Sequence, residues 1–297
     1  MKRTRIIKDK FAKSVMLCMT VMSILFVVVM FAGICIKSAP VMDDKSIWTL
    51  LSSSEWRPMK GSFGFLPFIT GTLWVTFVAI LIAFPISLLT SIFLTEYAKP
   101  FVKKLVFPAL DILAALPSVI YGVWGTLVVV PFISQHIAPH FVDFSTGYTV
   151  LAAGVVLAVM VVPLLVSLFV EVFSSVPVEL REASLALGAT RWQTARKVVL
   201  RKTTAGILAS TVLAVSRAMG ETIAVLMVCG CVIGIPSGVL DACYPLPALI
   251  ANNYGEMLSM PLYESALMFA ALLLFIVVLI FNVVSRIILY RLEKKEA

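Results

Sequence analysis

Six apolar stretches constrain this chain more than any single motif does. They lie at about 14–36, 67–95, 105–133, 149–173, 204–234 and 264–290, each near or above the roughly 20 residues that carry a helix across a bilayer. In hydrocarbon a lone segment must satisfy its own backbone hydrogen bonds, so each stretch predicts a helix. Of 297 residues, 61% are hydrophobic and 13% charged. Soluble domains carry about a quarter charged residues, so lipid must be the solvent for much of this apolar surface. The prediction is an all-α, polytopic integral membrane protein with six transmembrane helices. The apolar run Ser14–Ile36 exceeds the roughly 7–15 residues of a signal-peptide core and no clear A-x-A site follows it, so an uncleaved helix is expected.

Charge sets the expected orientation. Of 24 Lys and Arg, six precede the first stretch, three lie in 96–104, six in 174–203 and four from Arg286 onward. These 19 belong to segments on one side. The other side holds Lys37, Lys45, Arg57 and Lys60, and Arg217 falls inside the fifth stretch. The positive-inside rule puts both termini and the 174–203 loop in the cytoplasm. The loops at 134–148 and 235–262 contain no Lys or Arg, as exported loops should. The net charge of +8 is thus a topology signal, and nothing else supports a nucleic-acid partner.

Catalytic signatures are missing from the sequence. There is no G-x-x-x-x-G-K-[ST] phosphate loop, so no ATP hydrolysis and no cofactor is assigned to this chain. His136 and His140 have helical spacing with Asp143 nearby, but Pro139 interrupts the helix that this spacing needs. Cys18, Cys35, Cys229 and Cys231 fall in or at the ends of apolar stretches, where a thiol packs as a small hydrophobe. Cys243 has no evident partner. No metal site follows from any of these.

The 174–203 loop has the marks of two short helices. Ser174-Ser175-Val176-Pro177 supplies starting residues, and Pro177 suits a first turn because its missing N–H costs nothing there. The first helix is expected over about 177–187, with Gly188 placed to end it in a left-handed conformation. Thr190-x-x-Gln193 fits a capping box for the second. On the first helix Leu180, Ala183 and Leu187 share one stripe, and Glu179, Glu182 and Ala186 another. Amphipathicity alone favours a charged loop against lipid headgroups; a short helix entering a partner's groove is the alternative.

The spacing reverses that preference. Glu182-Ala183-Ser184-x-x-x-Gly188 followed by Val198-Val199-Leu200 resembles the EAA loop of ABC-importer permeases, Glu-Ala-Ala-x3-Gly-x9-Ile-x-Leu-Pro. The resemblance implies two short helices docking on a cytoplasmic ATPase, with Glu182, Ala183, Gly188 and Arg191 at the coupling surface. Ser184 stands where the family often has Ala, and Arg201 where it often has Pro. The second departure removes the usual helix break at the end of the loop.

Two more motifs narrow the family. Leu116-Pro117-Ser118-Val119-Ile120-Tyr121-Gly122-Val123-Trp124-Gly125 is expected to interrupt the third stretch near its middle, and Arg217-Ala218-Met219-Gly220-Glu221-Thr222 to occupy the middle of the fifth. Together with the loop they resemble the permeases of the phosphate-specific transport (Pst) system, the C-type more than the A-type. Pro117 removes a backbone donor, and freed polar groups at membrane depth must be buried in protein or line a wet cavity. Ser118, Tyr121 and the glycines can offer hydroxyls and close backbone approach to an oxyanion; a packing kink is the plainer alternative. Arg217 lies about 20 Å along a helix starting near Thr204, where an arginine costs at least about 2.5 kcal/mol. Glu221, four residues on, suggests an intrahelical pair, though Arg before Glu is the weaker order. The expectation is that Arg217 meets the anion, that Glu221 keeps it from being trapped, and that Thr222 lies on the same pathway. Asp111 is expected to pair with Lys103 or Lys104.

What the resemblance implies is a permease of the type I importer (MetI-like) fold in a bacterial inner membrane. Its parts are a basic tail (1–13), a first helix (14–36), an exported loop (37–66), a five-helix permease core (67–290) containing the 174–203 coupling loop, and a short tail (291–297). The implied partners are an A-type phosphate permease subunit, two copies of a cytoplasmic ATP-binding subunit and an exported phosphate-binding protein, the last meeting Gly61-Ser62-Phe63-Gly64 and the 235–262 loop. Alternatives are a permease for another oxyanion (phosphonate, sulfate or molybdate), the A-type subunit, a secondary transporter, or a membrane phosphate sensor.

Overall fold

Long apolar runs become long helices here, even through Pro85 and Pro163, and the fold is decided by where the chain departs from that rule. The computed structural model describes residues 2–44, 46–142, 144–255 and 260–296; Asp143, noted beside the two histidines, lies outside the described residues. Five helices are long and apolar enough to cross a membrane: Lys10–Asp43, Leu66–Tyr97, Ser118–His140, Val150–Ser174 and Pro261–Tyr290. A bent pair, Arg191–Lys202 and Thr204–Met219, raises the number to six, the two arms meeting at 72°. The six-helix expectation therefore holds, with different boundaries.

Helix α1 (Lys2–Asp44) extends beyond the predicted 14–36 at both ends. A short α2 (Ile47–Ser52) and a two-strand ribbon follow, with β1 (Trp56–Arg57) antiparallel to β2 (Ser62–Phe63) in the register Trp56↔Phe63. This ribbon is a small exception to the all-α expectation. Trp56 anchors it, with its ring centroid 4.9–5.4 Å from those of Phe63, Phe65 and Phe68. Such aromatic clusters bury large apolar area in fixed geometry.

The core is the pair α3 (Leu66–Ile92) and, later in the chain, Val150–Ser174. Ser87 and Ser91 on α3 donate to Val162 O and Val166 O on the partner at 3.4 and 3.2 Å, satisfying buried hydroxyls. Phe169 and Phe173 are fully buried in the same seam.

The third apolar stretch is not one helix. It divides into α4 (Pro100–Ala115) and a span starting at Ser118, interrupted at Leu116-Pro117 as the motif predicts. The residue before a proline is pushed toward extended geometry, and Leu116 has φ −63°, ψ 134°. The span then runs through α5 (Ser118–Trp124), a wider π turn, α6 (Val130–Phe132) and a second π turn before it ends at His140. One face of α4 packs on Leu94 and Val166 while Phe101, Leu105 and Ile112 stay exposed. Asp111 makes no ion pair among the described residues.

The fourth span is α7 (Val150–Ser174), capped where Thr149 Oγ1 accepts the Ala152 N–H. The loop after it forms α8 (Val178–Ala186), then α9 (Arg191–Thr194) and α10 (Leu200–Lys202), joined by a π turn.

The fifth stretch also breaks. Helix α11 (Thr204–Met219) ends at Gly220, one short turn α12 (Ile223–Leu226) follows, and residues 227–245 are irregular up to α13 (Leu246–Asn253). The predicted helix over 204–234 stops 15 residues early, and Arg217 lies in the last turn of α11, not mid-span. The chain reverses at Gly230 (φ 86°) and Cys231 (φ 51°). Hydropathy does not register this break, because Ala224, Val225, Val228 and Cys229 are buried by tertiary contacts whether or not they are helical.

The last helix, α14 (Pro261–Glu296), packs on α11 and α1. Lys37 pairs with Glu264 at 2.7 Å, and the Val41 N–H donates to Ser265 Oγ at 3.0 Å. None of the most apolar part of α1 is buried, against 56% for α7. That outer surface is left for lipid or another subunit to cover.

Candidate functional site

The 174–203 loop forms a small lobe whose ends are built as its residues dictate. Pro177 precedes the first turn of α8, and Gly188 ends it at φ 82°, its N–H donating to Leu185 O at 2.9 Å. Thr190 and Gln193 form the capping box, with bonds of 2.9 and 3.2 Å. Leu187 is 90% exposed and Trp192 46%. Apolar side chains standing out from a charged lobe are what a partner's groove receives. Glu182, Ala183, Gly188 and Arg191 are all exposed on this lobe.

Arg181 fixes the lobe to the helices. Its Nε donates to Glu96 Oε1 at 3.1 Å, and its terminal nitrogens donate to Val176 O and Phe173 O at 2.7 and 2.6 Å. One guanidinium thus joins the end of the second span to the end of the fourth. Ser184 Oγ lies 2.9 Å from Thr194 Oγ1, locking α8 to α9. The family's Ala at that position has no hydroxyl for this link.

The exit from the lobe turns without proline. The helix bends at Thr203, where Thr203 Oγ1 donates to Val199 O at 2.8 Å and Thr204 Oγ1 to Leu200 O at 3.0 Å. Hydroxyls that bond back to the preceding turn support such a bend. The two threonines fill the place left by having Arg201 where the family often has Pro.

Elsewhere in the bundle α5, from the first of the two other motifs, packs directly on α12, the turn that follows the second. A Cβ on Gly122 would lie 2.5 Å from Met227 Sδ, and one on Gly125 2.8 Å from Val228 Cγ1 and 2.6 Å from Val156 Cγ2. These glycines therefore permit close packing, the plainer of the two sequence alternatives. Thr126 Oγ1 donates to Gly122 O at 3.0 Å and to Met227 O at 3.2 Å, bonding across the contact. Tyr121 is buried and its hydroxyl donates to Leu113 O at 2.6 Å, closing the break around Pro117. That proton is committed to the backbone. Ser118 is half-buried on the first turn of α5.

Among the described residues, Arg217 and Glu221 do not form the ion pair that four-residue spacing offered as the structural alternative. The helix ends between them, and Glu221 Oε1 accepts the Ala224 N–H at 3.4 Å at the start of α12. Thr222 Oγ1 donates to Gly220 O. Arg217 is exposed, at the C-terminal end of α11 where the helix dipole favours a cation. Its five donors are not consumed by a neighbouring carboxylate.

With this geometry in place, the family model for "Binding-protein-dependent transport system inner membrane component" matches residues 87–297, covering α8–α10, both breaks and α14. The chain belongs to this family. Among curated members, the phosphate transport system permease PstC of Pasteurella multocida (strain Pm70) is 35% identical over 263 residues, 84% of this chain and 82% of that protein. The PstC of Xylella fastidiosa (strain Temecula1 / ATCC 700964) is 37% identical over 258 residues, 82% of this chain and 79% of that one. The membrane subunit in the inward-facing MetNI methionine ABC transporter (CY5 native crystal form) superimposes with a TM-score of 0.56 at 22% identity, over 80% of this chain and 99% of that one. That likeness shows the MetI-like fold. As a permease of this family, the chain is a multi-pass membrane transport protein with no enzyme relatives among these matches.

Arg181, Thr126, Thr203 and Thr204 are not among the site residues that the sequence suggests. Only the side chains flanking a proline-free bend hinted at the threonines. Arg181 gave no signal, because its acceptors, Glu96 and two carbonyls, are joined to it only by the fold.

Proposed function

We propose that this chain is the C-type permease subunit of an ATP-driven phosphate importer, forming half of the transmembrane pathway for inorganic phosphate. The observation that carries this is Arg217, exposed at the C-terminal end of the apolar helix α11 and without an ion pair among the described residues, six residues before Ile223 opens the turn α12 on which α5 packs. A guanidinium in that state grips phosphate oxygens through paired N–H donors. Glu221, held by the Ala224 N–H and apart from Arg217, supplies a nearby negative charge that limits how long the anion stays. Ser118 and Thr222 add hydroxyls along the same path. The similarity to PstC permeases across four-fifths of the chain supports phosphate as the cargo.

In this proposal an A-type permease subunit completes the pore. Two copies of an ATP-binding subunit sit in the cytoplasm, one of them against α8 through Glu182, Ala183, Gly188 and Arg191. An exported phosphate-binding protein delivers the anion to the opposite end. ATP is hydrolysed on the partner, and both termini are cytoplasmic, as the distribution of Lys and Arg supports.

The test is labelled-phosphate uptake and ATP hydrolysis in proteoliposomes holding the full complex, with sulfate and molybdate as competitors. Arg217→Gln should lower uptake at least about tenfold, the size of one lost charge-assisted bond. Normal uptake in that variant returns Arg217 to a structural role. Hydrolysis stimulated by a different anion keeps the architecture and overturns the cargo.

A further inference from the structure

A second arginine lies in an apolar setting where the proposed pathway gives it no part. Arg286 is on α14 inside the span Pro261–Tyr290, and among the described side chains, which do not include those from residue 291 onward, no carboxylate lies within ion-pair distance. It lines a cavity of about 460 Å³ between α14 and the first half of α11. The cavity has two characters. Ala209, Val212 and Leu289 form an apolar wall, and Ser285, Arg286 and Tyr290 supply hydroxyl and guanidinium donors. Asn282 also lines it, but its Nδ2 already donates to Ser216 Oγ at 2.9 Å and Val278 O at 2.8 Å, which leaves only its carbonyl oxygen.

We infer that this cavity is a binding site for a phosphate-bearing anion at the end of the bundle that carries the α8–α10 lobe. An unpaired arginine in a span is costly unless its charge is met, and a fork with two hydroxyls beside it suits a tetrahedral oxyanion. Basic pockets between transmembrane helices receive anionic lipid headgroups. The apolar wall next to the donors matches the junction between a headgroup phosphate and its acyl chains. The charge pattern agrees, because 19 of the 24 Lys and Arg belong to segments at this end. The phosphate group can come from a phospholipid or from free inorganic phosphate.

The experiment uses the full importer complex with the wild-type chain, Arg286→Gln, or Ala209→Trp, which fills the cavity and keeps the charge. Native mass spectrometry counts phosphatidylglycerol and phosphatidylcholine retained from vesicles containing both. Equilibrium binding of labelled inorganic phosphate is measured in pure phosphatidylcholine vesicles. Preferential retention of phosphatidylglycerol, reduced about fivefold in both variants, establishes the lipid as the source. Absence of lipid preference, with phosphate binding lowered in both variants, establishes free phosphate. Equal lipid retention and equal phosphate binding in all three chains overturns the site. So does efficient cross-linking of Arg286→Cys to another subunit of the complex, because a protein then fills the cavity.

Discussion

Arg181 Nε lies 3.1 Å from Glu96 Oε1, so α8 is held by the end of the second span. Both side chains are largely shielded, 17% and 10% exposed. Arg181→Ala would leave Glu96 and the carbonyls of Phe173 and Val176 without a shared donor. We expect a loss of about 2–3 kcal/mol, the usual result of orphaning one shielded charge. The check is thermal unfolding of the purified complex. Arg181→Lys should recover part of the stability and leave hydrolysis poorly coupled to uptake, because an ammonium cannot reach all three acceptors in the fork's geometry.

Ser184 and Thr194 make the second tie. Ser184→Ala removes one hydroxyl pair and should cost about 0.5–1.5 kcal/mol. Because family members often carry Ala here, transport should persist. A complete loss of uptake in Ser184→Ala, with assembly intact, would show that the lobe's internal rigidity is itself needed for coupling.

At Gly188 the cost is conformational alone. Its φ is 82° and an added Cβ meets nothing within 4 Å. Gly188→Asn should therefore be well tolerated, while Gly188→Val should lose about 1–2 kcal/mol from left-handed strain. If this surface docks on the ATPase, Gly188→Leu should also depress stimulated hydrolysis beyond what the matched stability loss explains. Normal transport in Gly188→Leu removes the docking role.

The contact between α5 and α12 predicts a specific pairing of substitutions. Gly122→Ala puts a Cβ 2.5 Å from Met227 Sδ and 3.2 Å from Met227 Cβ, an overpacking worth about 1–3 kcal/mol. Met227→Ala should make room and partly rescue it, so a double-mutant cycle on thermal stability should show coupling above about 0.5 kcal/mol. Strict additivity would mean that the two helices do not pack as found.

Some of this was legible in one dimension and some was not. The lobe was, because Pro177, Gly188 and the Thr190–Gln193 pair act on their own immediate backbone. The Ser184 link and the Arg181 anchor were not, since their partners lie ten and 85 residues away. The Arg217–Glu221 pair, the structural alternative to a pathway role, does not form among the described residues, because four-residue spacing means a shared face only while the helix continues, and α11 stops at Met219.

By itself, then, the order of residues determined that the chain lives in lipid, that it is helical, and where its charged lobe lies. Those properties follow from burial summed over long windows and from caps that act within a few residues. The third stretch breaks at Leu116-Pro117, as the proline there predicts, whereas the break in the fifth stretch was decided only by tertiary structure. A broken helix at membrane depth survives when distant groups take up its freed carbonyls, as Tyr121 does for Leu113 and Thr126 for Met227. Hydropathy carries no record of such bonds, because they exist only after the helices have packed.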